Sequence, residues 1–204
     1  MPKQTFFNLP QEKRQIIEEA ALDEFSEYGF DNSNMNRIVA QSKIAKGSFY
    51  QYFDDKKDLY LHLIDALVTK KVNLFKPFLD EYKQNSFSKN LREMFRSGLE
   101  FADSDPKYYR LSEDSAYKNP ALIQEFVDKY NPMAIDIYAK LLEYASEKDE
   151  LRENINIALT ASFISSLVNQ TTINLISNAT PVIQRNGVIA ELIQFIERAV
   201  LKTT

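Results

Sequence analysis

Apolar residues recur at three- and four-residue intervals through most of this chain, the spacing of a single helical face. Ile16, Ile17, Ala20, Ala21, Phe25 and Tyr28 follow that rule and predict a helix from about Leu9 to Tyr28. Asn8 and Gln11 stand at capping-box spacing at its start. Gly29 supplies a left-handed residue after its end, which lets Phe30 pack back on Phe25. A short helix is predicted from Asn34 to Gln41, capped by Ser33 or Asn34, with Met35, Ile38 and Val39 inward. A turn over Ser42, Lys43 and Ile44 leads to a second short helix, Ala45 to Phe53, on which Ala45, Phe49 and Phe53 share a face. Asp54 or Asp55 caps a longer helix from Lys56 to about Phe75.

Pro77, the polar stretch 84–89, Pro106, Pro120 and Pro132 punctuate the remainder of the chain. Helical spacing returns over Leu91–Ala102, Ala121–Tyr130, Met133–Ser146, Leu151–Ile176 and Pro181–Leu201. No alternating strand pattern of useful length and no internal repeat is visible. The expected fold class is all-α, with an N-terminal three-helix helix-turn-helix domain over residues 1–55 and a helical bundle over 56–204.

Composition removes several function classes. The four glycines, Gly29, Gly47, Gly98 and Gly187, cannot build a phosphate-cradling loop. Cysteine is absent, which excludes disulfides, zinc ribbons and thiol nucleophiles. His62 is the only histidine, so a catalytic triad or a histidine-based metal site would have to run through it. Its place in the apolar repeat Leu59–Val72 points instead to a helix-surface or packing role. No catalytic residues, no metal and no cofactor are expected. The N-terminal stretch is dense in charge and lacks an apolar run of signal-peptide length, so the expected compartment is the cytoplasm. Asn154 to Gln184 carries no charged residue, but asparagines and Gln170 interrupt it too often for a membrane span. A helix buried on both sides fits better.

The net charge of −4 argues at first against a nucleic-acid partner, but its distribution does not. Between Ser33 and Lys57, Arg37, Lys43, Lys46, Lys56 and Lys57 face only Asp54 and Asp55. Two short helices around a tight turn, the second presenting polar and basic residues, suit insertion of that second helix into the major groove. Lys46 and Ser48 can reach base edges or phosphates. Gly47 permits close backbone approach, and Tyr50 can donate its hydroxyl to a phosphate. Lys56 begins a helix, where an anion is favoured.

The stretch FSEYGFDNSNMNRIVAQSKIAKGSFYQYFDDKKDL, Phe25–Leu59, resembles the DNA-binding domain of the tetracycline-repressor (TetR) family. The resemblance rests on the FxxxGF helix end, the pair Ile38-Val39 and KGSFYQYFDDKKDL. It implies an all-helical homodimer, usually a repressor, released from a palindromic operator by a small molecule. It points to Ser33 and Asn34 as phosphate contacts. It assigns Lys46, Gly47, Ser48, Tyr50 and Tyr52 to the reading helix, and Lys56 to a phosphate. Lys43 stands where the family usually has a turn glycine, and there it strains the turn or adds a phosphate contact. Ala45 replaces a usual serine and Tyr52 a usual histidine.

For the C-terminal body, Phe95, Phe101, Tyr108, Tyr109, Phe126, Tyr130 and Tyr138 are the candidates for an aromatic effector pocket. The small residues Ala161, Ser162 and Ser165, with Val168, and the face of Ile189, Ile193 and Ile196, are the candidates for a dimer interface. The expected partners are thus duplex operator DNA, a second copy of the chain and a small-molecule effector, with no membrane. Two alternatives rank below this: a regulator of the same fold controlled by a protein partner or by no ligand, and a helical enzyme or carrier using the C-terminal cavity.

Overall fold

A computed structural model describes residues 2–104, 106–113, 121–122, 124–177 and 182–202. The helices are α1 (Gln4–Phe7), α2 (Gln11–Asn32), α3 (Met35–Gln41), α4 (Lys46–Tyr52), α5 (Lys56–Glu81), α6 (Phe87–Ser104), α7 (Pro106–Glu113), α8 (Gln124–Glu147), α9 (Ile157–Ser177) and α10 (Val182–Val200). A 3-10 turn covers Tyr82–Gln84. Among the described residues the β-type pairing is one isolated antiparallel bridge, Leu151 to Leu201. No described helix is long and apolar enough to cross a membrane. The chain is all-α, as its periodicity predicts.

It packs as two compact units, which part elsewhere than at residue 55. The first is Met1–Lys71 with Ala102–Ile123, the second Val72–Phe101 with Gln124–Thr204. α5 therefore contributes its first part to one unit and its second part to the other. α7, far along the sequence, belongs to the first unit.

The core of the first unit holds Phe6, Ile17, Ala21, Phe25, Ile38, Phe49, Phe53, Leu59, Tyr60 and Leu111. The helix expected from Leu9 starts later. Asn8 is the C-cap of α1, and Pro10 precedes α2 without any side-chain cap. A proline disfavours helical backbone at the residue before it, so Leu9 stays outside the first turn of α2 and the Asn8–Gln11 box does not form. At the far end Gly29 adopts φ 71°, ψ 173°, a region open in practice only to glycine. The chain kinks there, Phe30 stacks on Phe25 at 6.4 Å, and the Ser33 N–H donates to the Gly29 carbonyl at 3.1 Å. Asn34 caps α3 by accepting the Asn36 N–H at 2.8 Å. Before α5, Asp55 accepts the Asp58 N–H at 2.8 Å while the Asp58 carboxylate accepts the Asp54 N–H at 3.1 Å. This reciprocal arrangement satisfies two donors at once.

The second unit buries Leu91 of α6 with Leu141, Leu142 and Ala145 of α8. Ala161 and Ile164 of α9 join them, as do Ile189, Ile193, Ile196 and Val200 of α10. Two expected breaks are absent: α5 continues past Pro77, and α8 runs through Pro132. Pro132 removes one backbone donor, but the buried residues farther along α8 hold that helix to the core. The helix expected from Leu151 begins only at Ile157, where Asn156 accepts the Leu159 N–H at 3.0 Å. Asp149 and Asn154 before it have positive φ, 59° and 63°, and Leu151 is tied to Leu201 instead.

Candidate nucleic-acid interface

α3 and α4 stand on a shared apolar base. Ile38 and Phe49 are buried, and the buried Ser42 hydroxyl closes the end of α3 by donating to the Ile38 carbonyl at 2.7 Å. Lys43 makes the turn at φ 54°. A non-glycine residue there stores some strain; its side chain is exposed. On α4, Lys46, Gly47 and Tyr50 are exposed, Ser48 and Tyr52 half-buried. A Cβ added at Gly47 would meet nothing within 4 Å. The space over that backbone is open, as close approach of another molecule requires. These are the sequence-predicted contacts, and the fold gathers them on and beside one short helix.

Three residues matched to phosphate contacts have their polar groups engaged inside the unit. The Ser33 hydroxyl donates to the Phe30 carbonyl at 2.7 Å, and the residue is buried. Asn34 spends its side-chain oxygen on the α3 cap. Lys56 Nζ donates to the carbonyls of Phe30 at 2.6 Å, Ser33 at 3.3 Å and Asp31 at 3.4 Å, and lies 4.6 Å from the Phe30 ring centre. It ties down the backbone of the Gly29 kink.

Glu24 is a supporting residue of this surface that composition and periodicity missed. Its side chain is 1% exposed and accepts the Asn34 N–H at 2.6 Å. Arg37 Nε lies 2.9 Å from each carboxylate oxygen. Burial pushes the Glu24 pKa up, but the hydrogen bonds from Arg37 and Asn34, with the charges of Arg37 and Lys56, outweigh it and leave the group below its ordinary value. Arg37, counted as part of a basic stretch, is thereby neutralised. Of the other cations of this stretch, Lys43, Lys46 and Lys57 are exposed. His62 has the packing role its periodicity implies: its ring lies among Phe6, Phe7 and Phe53, with Nε2 2.7 Å from Glu18 Oε1.

The predicted pocket aromatics are divided between the two units. Tyr108 belongs to the first unit, its ring centre 4.6 Å from Lys70 Nζ. In the second unit Tyr138 is buried and Phe95 packs against the same core. Phe101 and Tyr130 are half-buried. The side chains of Tyr109 and Phe126 lie outside the described residues. A surface depression does occur near Asp149, Arg152, Asn154 and Lys202, a polar set distinct from these.

The interface candidates lie mostly inside the single chain. Ala161, Ser165, Ile189, Ile193 and Ile196 are buried within the single chain, and Ser162 and Val168 are half-buried. The small residues admit close packing between helices of one chain. The opposite faces of α9 and α10 expose Leu159, Phe163, Leu167, Val188 and Phe195.

Residues 17–63 match the family described as bacterial regulatory proteins, tetR family. An HTH-type transcriptional regulator of Staphylococcus aureus (strain USA300) is 39% identical over 74 residues, 36% of this chain and 40% of that relative. The chain thus matches well under half of the length of the curated relative. A TetR family transcriptional regulator from Chloroflexus aurantiacus is 26% identical with a TM-score of 0.59, covering 100% of both chains. The Bacillus subtilis regulator FadR, solved in complex with stearoyl-CoA, shares the fold at 17% identity and a TM-score of 0.67, over 89% of this chain and 96% of its own.

Proposed function

We propose that the chain, whose residues 17–63 match the tetR family of bacterial regulatory proteins, binds a palindromic duplex operator as a homodimer and represses transcription there. The observation that carries this reading is the α3–α4 pair. Lys43, Lys46, Gly47 and Tyr50 are exposed over a buried Ile38–Phe49 base, with open space above the Gly47 backbone. Lys46 and Ser48 read bases, Tyr50 and Lys43 hold phosphates, and Gly47 lets the backbone come close.

The second copy docks on the exposed faces of α9 and α10. Phe163 and Phe195 are 57% and 59% exposed in the single chain, and apolar side chains grouped in this way mark an interaction surface. A twofold pairing suits a twofold operator.

The test is selection of bound sequences from random duplex DNA. Enrichment of an inverted repeat is expected, with half-sites one or more helical turns apart. A single half-site would remove the dimer from this reading, and no enrichment would remove DNA recognition.

We also infer that a small amphipathic effector binds the second unit and releases DNA. FadR, which shares the fold, was solved with an acyl-CoA, and the Ser165 hydroxyl is buried without a hydrogen-bond partner among the described residues. Thermal-shift screening with and without operator decides between this and a ligand-independent regulator, since a releasing ligand must bind more weakly when DNA is present.

A further inference from the structure

The segment before α2 has no place in the reading surface, yet it makes specific contacts with it. α4 has seven residues, too few to persist as an isolated helix, and no side chain caps its first turn. Its last turn is held differently. Tyr50, Gln51 and Tyr52 carry carbonyls that a helix end leaves unsatisfied. Each accepts a bond from the chain around α1. Lys3 Nζ donates to the Tyr50 carbonyl at 2.9 Å, the Thr5 hydroxyl to that of Gln51, and the Lys3 N–H to that of Tyr52 at 2.7 Å. Phe6, fully buried, anchors the segment with its ring 4.9 Å from Phe53 and 5.2 Å from His62.

We propose that residues 2–8 clamp the C-terminal turn of the DNA-reading helix, and that Lys3 and Thr5 are positioning residues for sequence recognition. The inference rests on the proposed DNA-reading role of α4. Lys3 Nζ also lies 2.6 Å from Asp54 Oδ1, but these side chains are 42% and 71% exposed. An ion pair so open to water contributes little, so the directional bonds to the carbonyls do the holding. A clamp of this kind matters for recognition because reading groups must be presented in one geometry before the DNA arrives. A mobile last turn would move Tyr50, which shares that turn, more than any residue of the core.

The experiment uses the full chain with Thr5→Val, Thr5→Ser and Lys3→Met. Thr5→Val removes the hydroxyl at nearly constant size, and Thr5→Ser restores it. Amide hydrogen exchange without DNA reads the clamp directly. Exchange at Gln51, Tyr52 and Phe53 should quicken about fivefold in Thr5→Val, the effect of one lost hydrogen bond. It should return to the original rate in Thr5→Ser, with the amides of α2 unchanged throughout. With DNA, Thr5→Val should lower the ratio of operator to random-duplex affinity while the salt slope stays constant. Circular dichroism checks folding, and if Lys3→Met fails it, the threonine pair carries the test. Equal exchange in all variants overturns the clamp. A salt slope reduced by about one in Lys3→Met, with Thr5→Val silent, makes Lys3 a phosphate contact and also overturns it. If the unchanged chain binds no duplex, the recognition role falls with the DNA reading, and the exchange data alone judge the clamp.

Discussion

Arg37 on α3 clasps Glu24 on α2 through both carboxylate oxygens, each 2.9 Å from Nε, while Glu24 also receives the Asn34 N–H. One buried acid thus fixes the start of α3 and cancels a charge of the basic stretch.

Replacing Glu24 by Gln should destabilise the chain by about 1.5–3 kcal/mol at neutral pH, the range for hydrogen bonds to a charged group. The folded pKa of Glu24 lies below its ordinary value. Its contribution is therefore complete above the unfolded carboxylate pKa and is lost as pH falls through the lower, folded one. Urea titrations should show a constant gap between the two proteins from pH 7 to about pH 5, closing in more acid solution. A gap that widens on acidification contradicts the pairing.

Lys56→Met separates support from contact. Lys56 holds three carbonyls around the Gly29 kink. Its loss should reduce stability by about 1–3 kcal/mol and leave the salt slope of DNA binding unchanged. A slope lowered by about 0.9 with stability intact would return Lys56 to the phosphate.

Gly47→Ala should improve folding and impair binding together. The position has open space around it, and alanine is the better helix former by up to about 1 kcal/mol. The added methyl group would then stand between the α4 backbone and the DNA. Thermal unfolding and operator titration of the same variant give both signs. Binding that improves along with stability would mean this backbone does not approach the duplex.

Phe163→Asp and Phe195→Asp should yield folded monomers in sedimentation, with operator affinity lost. Both side chains are exposed in the single chain, so the substitutions cost the monomer little. Ile193→Asp, by contrast, buries a charge in the core of the second unit and should unfold it. Tight dimers of both phenylalanine variants would move the interface elsewhere.

Ser165→Ala should raise the unfolding temperature without ligand. The hydroxyl is buried with no partner among the described residues, and an unmet buried polar group costs about 1–3 kcal/mol. A lower unfolding temperature would reveal a bound water or other acceptor at that hydroxyl.

Local signals made α3, α4 and the end of α2 readable. The Gly29 kink, the packing of Phe30 on Phe25 and the Asn34 cap involve residues within a few positions of one another. The spacing of Ile38, Phe49 and Phe53 likewise marks which side of each short helix turns inward. Pro10 was also a local signal, and it overrode the capping pattern of Asn8. The exposure of Lys46, Gly47 and Tyr50 follows from the same periodicity, which is why the candidate reading surface could be drawn from the chain alone.

The uses of charge and of uncharged faces could not be drawn that way. Nothing near Arg37 in sequence says that Glu24, 13 positions earlier, will neutralise it. Nothing near Lys56 says that it will reach back 26 positions to Phe30. The clamp from Lys3 to Tyr50 spans 47 positions. On α9 every face lacks charge, so helical periodicity shows no preference between Ala161, Ile164 and Ser165 on one side and Leu159, Phe163 and Leu167 on the other. Sequence by itself determined the all-helical class, most of the longer helices, the Gly29 and Asn34 ends and the resemblance over residues 25–59. Tertiary packing decided which cations are paired and which apolar face stays exposed, because both depend on residues that meet only after the chain has folded.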